Sequence, residues 1–221
     1  MERKVSVSNR RKNIEEMLQR VDDTLETAKL GLSDLVDVNR NRRMSGLRNL
    51  IVFGRSATFV LQNLRSVIGK EFDAWYEPHQ QSLKDDPLMR YFVDARNELE
   101  KQGKLSIATN THIHSLSSGD IAKLGQRPSG ATGFFIGDQL GGSGCGSGWE
   151  VQLPDGSKEK YYVELPTSIA EVKQRFSNLP EGLDPALKDA TVEDLSQRYL
   201  EHLAALVAAA RAHFLKVPAP Q

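Results

Sequence analysis

Asp85-Asp86-Pro87-Leu88-Met89-Arg90-Tyr91-Phe92-Val93-Asp94-Ala95-Arg96-Asn97-Glu98-Leu99-Glu100-Lys101-Gln102-Gly103 reads as one delimited helix. Asp86 is a helix-capping residue, and Pro87 suits the first helical position, where a missing N–H costs nothing. Gly103 is the residue that stops the helix in a left-handed conformation. Leu88, Phe92, Ala95 and Leu99 recur at helical spacing, so they form a buried stripe. Arg96 lies four residues from Phe92 and three from Leu99, which puts its guanidinium on the edge of that stripe. A charge held there needs a partner. A structural reading pairs Arg96 with Glu100, one turn on, or with a carboxylate of a neighbouring helix. A functional reading has Arg96 clamp a phosphate while Asn97 orients a ribose or a water. The structural pair is preferred, because structural ion pairs outnumber functional ones.

Three further helices precede this one. From Asn13 to Val38, apolar residues alternate in threes and fours (Ile14, Met17, Leu18, Val21, Leu25, Ala28, Leu32, Leu35), which predicts a long amphipathic helix. From Met44 to Ile68, the residues Leu47, Leu50, Ile51, Gly54, Ala57, Leu61 and Leu64 share one face. Gly54 and Ala57 would admit a close neighbour, and Gly69 ends the segment. Lys70 to Leu83 carries Phe72, Trp75, Tyr76 and His79, the last read as a packing residue.

After Gly103 the character changes. Lys104 to Leu116 reads as a strand, Phe134-Phe135-Ile136 as a short apolar run, and Gly141 to Gly148 as a flexible loop holding Cys145. Trp149–Leu153 and Lys158–Leu165 flank Pro154-Asp155-Gly156-Ser157, a hairpin signal. Ile169 to Phe176 is open between helix, with Ser168 and Glu171 as a capping box, and strand. Thr191 and Asp194 cap a last helix with Val192, Leu195, Tyr199, Leu203, Leu206, Ala210 and Phe214 facing inward. The Pro218-Ala219-Pro220 tail is expected to fray. The expected fold is α+β: mainly a helical bundle with a small inserted antiparallel sheet. Four segments follow: the N-terminal helix at 1–43, the bundle core at 44–103, a β-rich insertion at 104–166, and a connector with the returning helix at 167–221.

Composition narrows the function. The 221 residues carry 29 Lys and Arg against 29 Asp and Glu, so net charge is zero and an electrostatically dominated nucleic-acid binder loses weight. One cysteine excludes an intrachain disulfide and any cysteine-based zinc cluster. No apolar run approaches the roughly 20 residues that span a bilayer. The N-terminus is polar and basic, unlike a secretory signal. A cytoplasmic protein without membrane partners is expected. His112 and His114 stand two apart, on one face of the expected strand, where as binding residues they could hold a metal or shuttle protons, though a partly exposed strand face is the preferred reading. No carboxylate–histidine spacing surrounds them, so no metal is expected, and no motif calls for a cofactor.

A bundle whose late helix bears Arg96-Asn97 resembles the HEPN superfamily, many of whose members cleave RNA. The resemblance covers about Met44 to Gly103 and the last helix. Its motif is an arginine, four to six residues of which the first is often polar, then a histidine. Arg96 and Asn97 match its start, but Lys101, Gln102 and Gly103 occupy the histidine positions. The resemblance therefore implies the fold more than the activity: a non-catalytic binding or regulatory protein, acting as a homodimer, with RNA or a nucleotide as partner. The alternative it implies is a metal-independent ribonuclease, with Arg96, Asn97 and Lys101 as catalytic residues. A second alternative is a structural assembly component built on the N-terminal helix.

Overall fold

The computed structural model describes residues 2–37, 42–114, 126–135, 147–163 and 169–215. The Gly141 to Gly146 run with Cys145, Ser168 and the proline tail lie outside the described residues, as does the side chain of His112. The chain is α+β and clusters into two compact units. One is built from Met1–Asp37, Arg42–Leu105 and Leu179–Gln221, the other is centred on Ser106–Asn178.

The first unit is helical: α1 (Glu2–Val36), α2 (Arg43–Gln62), the single turn α3 (Arg65–Ile68), α4 (Lys70–Asp85), α5 (Pro87–Gln102) and α6 (Val192–Phe214). Helix α1 begins well before the apolar repeat does, because Arg11 with Glu15 and Lys12 with Glu16 form i,i+4 pairs that extend it as a polar rod. The segment read as one helix to Ile68 breaks after Gln62 and restarts as α3. Each α5 boundary is chemical. The Asp86 carboxylate accepts from the backbone N–H of Leu88 and Met89 at 2.8 and 3.2 Å, and Gly103 adopts φ 66° at the other end. In α6 the Thr191 hydroxyl and the Asp194 carboxylate cap each other's backbone N–H, completing a capping box.

Packing follows two glycine contacts. A Cβ placed on Gly31 would stand 2.6 Å from the Gly46 carbonyl oxygen, and one on Gly46 would stand 2.6 Å from the Gly31 oxygen, so α1 and α2 touch backbone to backbone. A Cβ on Gly54 would stand 2.6 Å from Cε1 of Tyr199, so that ring occupies the space the missing side chain leaves. Tyr199 is buried and stacks on Phe92, with ring centroids 4.1 Å apart, which ties α2, α5 and α6 together. Leu18, Leu47, Leu50, Ile51, Leu61, Leu88, Leu195 and Leu203 fill the rest of the core. Near the end of α6, Phe214 meets Trp75, and His79 packs on the same indole at 4.5 Å.

The second unit holds two small antiparallel sheets. Strand β1 (Ile107–Ile113) pairs with β5 (Ala170–Phe176), Ile107 opposite Phe176 and Ile113 opposite Ala170. The segment that sequence left open is thus a strand, and its partner lies far earlier in the chain. Strands β2 (Ala131–Phe135), β3 (Ser147–Gln152) and β4 (Lys158–Val163) form the other sheet in that order. The β3–β4 turn is closed by Asp155, whose carboxylate accepts from both the N–H and the hydroxyl of Ser157. Those bonds hold the Asp155 carboxyl below its ordinary pKa.

Candidate functional site

The arginine singled out from sequence is bound within its own helix. Arg96 pairs with Glu100 at 2.8 Å and donates to the side-chain oxygen of Asn97 at 3.3 Å. Its Nε is buried and makes no hydrogen bond among the described residues. Lys101 is exposed on the same helix. His112 lies on β1 opposite Glu171, and His114 is exposed just past the strand, where its backbone N–H donates to the Ile169 carbonyl. Both belong to the second unit, whereas Arg96, Asn97 and Lys101 belong to the first. Among the described residues no three His, Cys, Asp or Glu side chains are placed to hold a metal ion.

A more pointed arrangement lies elsewhere in the helical unit. A cleft of about 300 Å³ opens between α2, α4, α5 and α6. Each helix contributes side chains at helical spacing: Arg55 and Thr58; Tyr76, Gln80, Leu83 and Lys84; Met89, Arg90, Val93 and Asp94; Tyr199 and Leu203. Three cations and one carboxylate therefore face one space.

What sets these cations apart is that three of them without an ion pair line one cleft. Seven other arginines of the helical unit are neutralised: Arg10 by Glu71, Arg11 by Glu15, Arg42 by Asp34, Arg43 by Glu193, Arg65 by Asp73, Arg96 by Glu100 and Arg211 by Asp22, whereas Arg20, Arg48 and Arg198 stand apart from the cleft with no ion pair among the described residues. Among the described residues, Arg55, Lys84 and Arg90 form no ion pair. Arg55 donates to the Thr58 hydroxyl at 2.8 Å and lies over the Phe59 ring at 4.4 Å, so it is held in place without being neutralised. Lys84 donates to the Gln80 side-chain oxygen at 3.4 Å.

The phenols complete the chemistry. Burial pushes the hydroxyls of Tyr76 and Tyr199 above the ordinary phenol range, and the opposing pull of Arg55 is the smaller effect in both. Each stays protonated at neutral pH, able to donate to an anion. Tyr199 is invisible as a site residue in sequence, because no spacing relates position 199 to position 55. The one local signal was Arg55 itself, a charge directly after Gly54 in a helix that holds no carboxylate.

A second, larger groove of about 660 Å³ is lined by Leu32, Val36, Leu187 and α6 residues including Glu193, Asp194, Glu201 and His202. Two of its carboxylates are already committed, Glu193 to the buried Arg43 and Asp194 to the capping box. His202 Nδ1 lies 3.3 Å from the second oxygen of Asp86 and so joins α6 to the N-terminus of α5.

Comparison with known proteins places the resemblance in the region of the cleft. The family model described as bacteriophage lambda protein ea47 matches residues 39–120. Protein ea47 of Escherichia phage lambda is 34% identical over 74 residues, which is 33% of this chain and 18% of that protein. The matched part is thus less than a fifth of the length of that relative. No solved structure matches the chain. These findings correct the HEPN resemblance drawn from Arg96-Asn97: the similarity that emerges is to the Ea47-like family. The physical reason is that an Arg-Asn pair on a bundle helix is not diagnostic when Glu100, one turn on, neutralises the arginine. All cleft residues except Tyr199 and Leu203 fall within the matched segment. Among the described residues no helix is long and apolar enough to cross a membrane.

Proposed function

We propose that this protein is an anion-binding helical protein whose ligand sits in the cleft between α2, α4, α5 and α6. The observation that carries this reading is the convergence of Arg55, Lys84 and Arg90, unpaired, on one space beside two protonated phenols. Unbalanced positive charge lining a concave cleft raises the local concentration of anions. A hydrogen bond from a charged donor contributes about 1.5–3 kcal/mol. Removing one of the arginines should therefore weaken binding by roughly ten- to a hundred-fold. Isothermal titration calorimetry with inorganic phosphate, on the intact chain and on Arg55→Gln and Arg90→Gln, tests this. Unchanged affinity in both variants, or no binding by the parent, defeats the reading.

Self-association belongs to the same proposal. Leu30 and Val36 on α1, with Phe53 and Phe59 on α2, are large apolar side chains left exposed, and a second copy of the chain would cover part of that surface. Light scattering reads it directly, and a monomer mass at every concentration removes it.

A further inference from the structure

The anion-binding reading leaves open what the anion is attached to, and the lining of the cleft bears on that question. We infer that the ligand is a phosphate monoester carried on a compact apolar body; this rests on the anion-binding reading. Two observations carry it.

The first is charge. Arg55, Lys84 and Arg90 face Asp94 alone, so three positive charges minus one negative leave two unbalanced. A phosphate monoester carries between about −1.5 and −2 at neutral pH, whereas a carboxylate carries one charge. Arginine's planar fork also suits a tetrahedral oxyanion with several acceptors.

The second is the apolar wall. Leu83, Met89, Val93 and Leu203 line the same cleft and contribute no hydrogen-bonding side chain. Met89 and Leu203 are buried beneath it, but Leu83 and Val93 stay partly exposed, and an attached apolar group would cover what a bare phosphate leaves wet. The size bounds the body. At about 300 Å³ the cleft stands at the small end of ligand pockets, which suits a single ring or a short branched chain. The tyrosine ring faces are partly spoken for: Tyr199 stacks on Phe92 and Tyr76 stacks on Phe72. The phenols therefore serve the headgroup through their hydroxyls, and the aliphatic side chains serve the body.

The test uses the full chain and three probes in calorimetry: inorganic phosphate, phenyl phosphate and benzoate. Phenyl phosphate should bind at least tenfold tighter than either of the others. Leu83→Ser, at a partly exposed position, should bring the affinity for phenyl phosphate down toward that for inorganic phosphate measured on the same variant, and its melting temperature checks that it folds. Phenyl phosphate no tighter than inorganic phosphate would overturn this inference and leave the anion-binding reading standing. Benzoate as tight as phenyl phosphate would overturn the assignment of a doubly charged headgroup. No binding by any probe would overturn both readings together.

Discussion

Replacing Gly31 by alanine isolates the contact on which the α1–α2 pair is built. The new Cβ would lie 2.6 Å from the Gly46 carbonyl oxygen and 2.7 Å from the Leu50 backbone nitrogen. Carbon atoms in good contact stand about 3.5–4.0 Å apart. Neither blocking atom can rotate away, because both are helix backbone. The helices must therefore separate by up to about 1 Å at the crossing, loosening the buried Ala28, Leu35, Leu47 and Leu50 beside it. Overpacking of this kind costs typically 1–3 kcal/mol, and alanine's better helix propensity offsets up to about 1. The expected net loss is about 1–2 kcal/mol, or a fall of roughly 2–8 °C in melting temperature for a chain of this length. Thermal unfolding followed by far-ultraviolet circular dichroism measures it. Gly46→Ala should behave alike, and the double variant should cost less than the sum of the two, since the first substitution has already moved the helices apart. A Gly31→Ala protein as stable as the parent, or more so, would refute the close backbone contact.

Three other perturbations test different features. Arg43 is buried, donates to the Leu35 carbonyl at 2.6 Å and pairs with Glu193, so Arg43→Ala strands a carboxylate and a helix-end carbonyl; chemical denaturation should show a loss of about 2–4 kcal/mol, reduced from the fully buried case because Glu193 is 30% exposed. The Tyr76, Tyr91 and Tyr199 phenols are raised by burial above their ordinary pKa of about 10. Their contribution to stability is therefore complete below that pH and is lost as pH climbs through the folded-state values; ultraviolet titration should show three tyrosines ionising late, together with unfolding, and three early ionisations with the fold intact would contradict it. Arg96→Gln should change stability by less than about 1 kcal/mol, because its partner Glu100 is 40% exposed and solvent-screened i,i+4 pairs contribute only about 0.3–0.5; a loss above about 2 kcal/mol in urea unfolding would mean the arginine holds more than its own helix.

Much of the helical unit was legible because its information is local. Asp86, Pro87 and Gly103 bound α5, and Thr191 with Asp194 starts α6, through bonds spanning a few residues. The β3–β4 hairpin was readable for the same reason, since Asp155 and Ser157 form the turn between themselves. The longer segment from Met44 was less so. Its apolar stripe continues past Gln62 while the backbone breaks and restarts, and periodicity reports only where side chains face. Ile169 to Phe176 could not be resolved locally, because the bonds that make it a strand come from β1.

The candidate site shows the division most sharply. By itself the sequence determined that Arg55 and Arg90 sit on helices, that Lys84 follows the end of another, and that Gly54 invites a close neighbour. It could equally make Arg96 the prominent arginine, because spacing shows where a guanidinium lies on its own helix but not whether a partner neutralises it. Only the tertiary structure decided that Glu100 satisfies Arg96, that Tyr199 is the neighbour Gly54 admits, and that three unneutralised cations meet above it. Helix formation and capping are settled within one or two turns of chain. The electrostatics of a cleft depend on which charges remain unpaired after all the helices have packed, and that sum is taken over the whole fold.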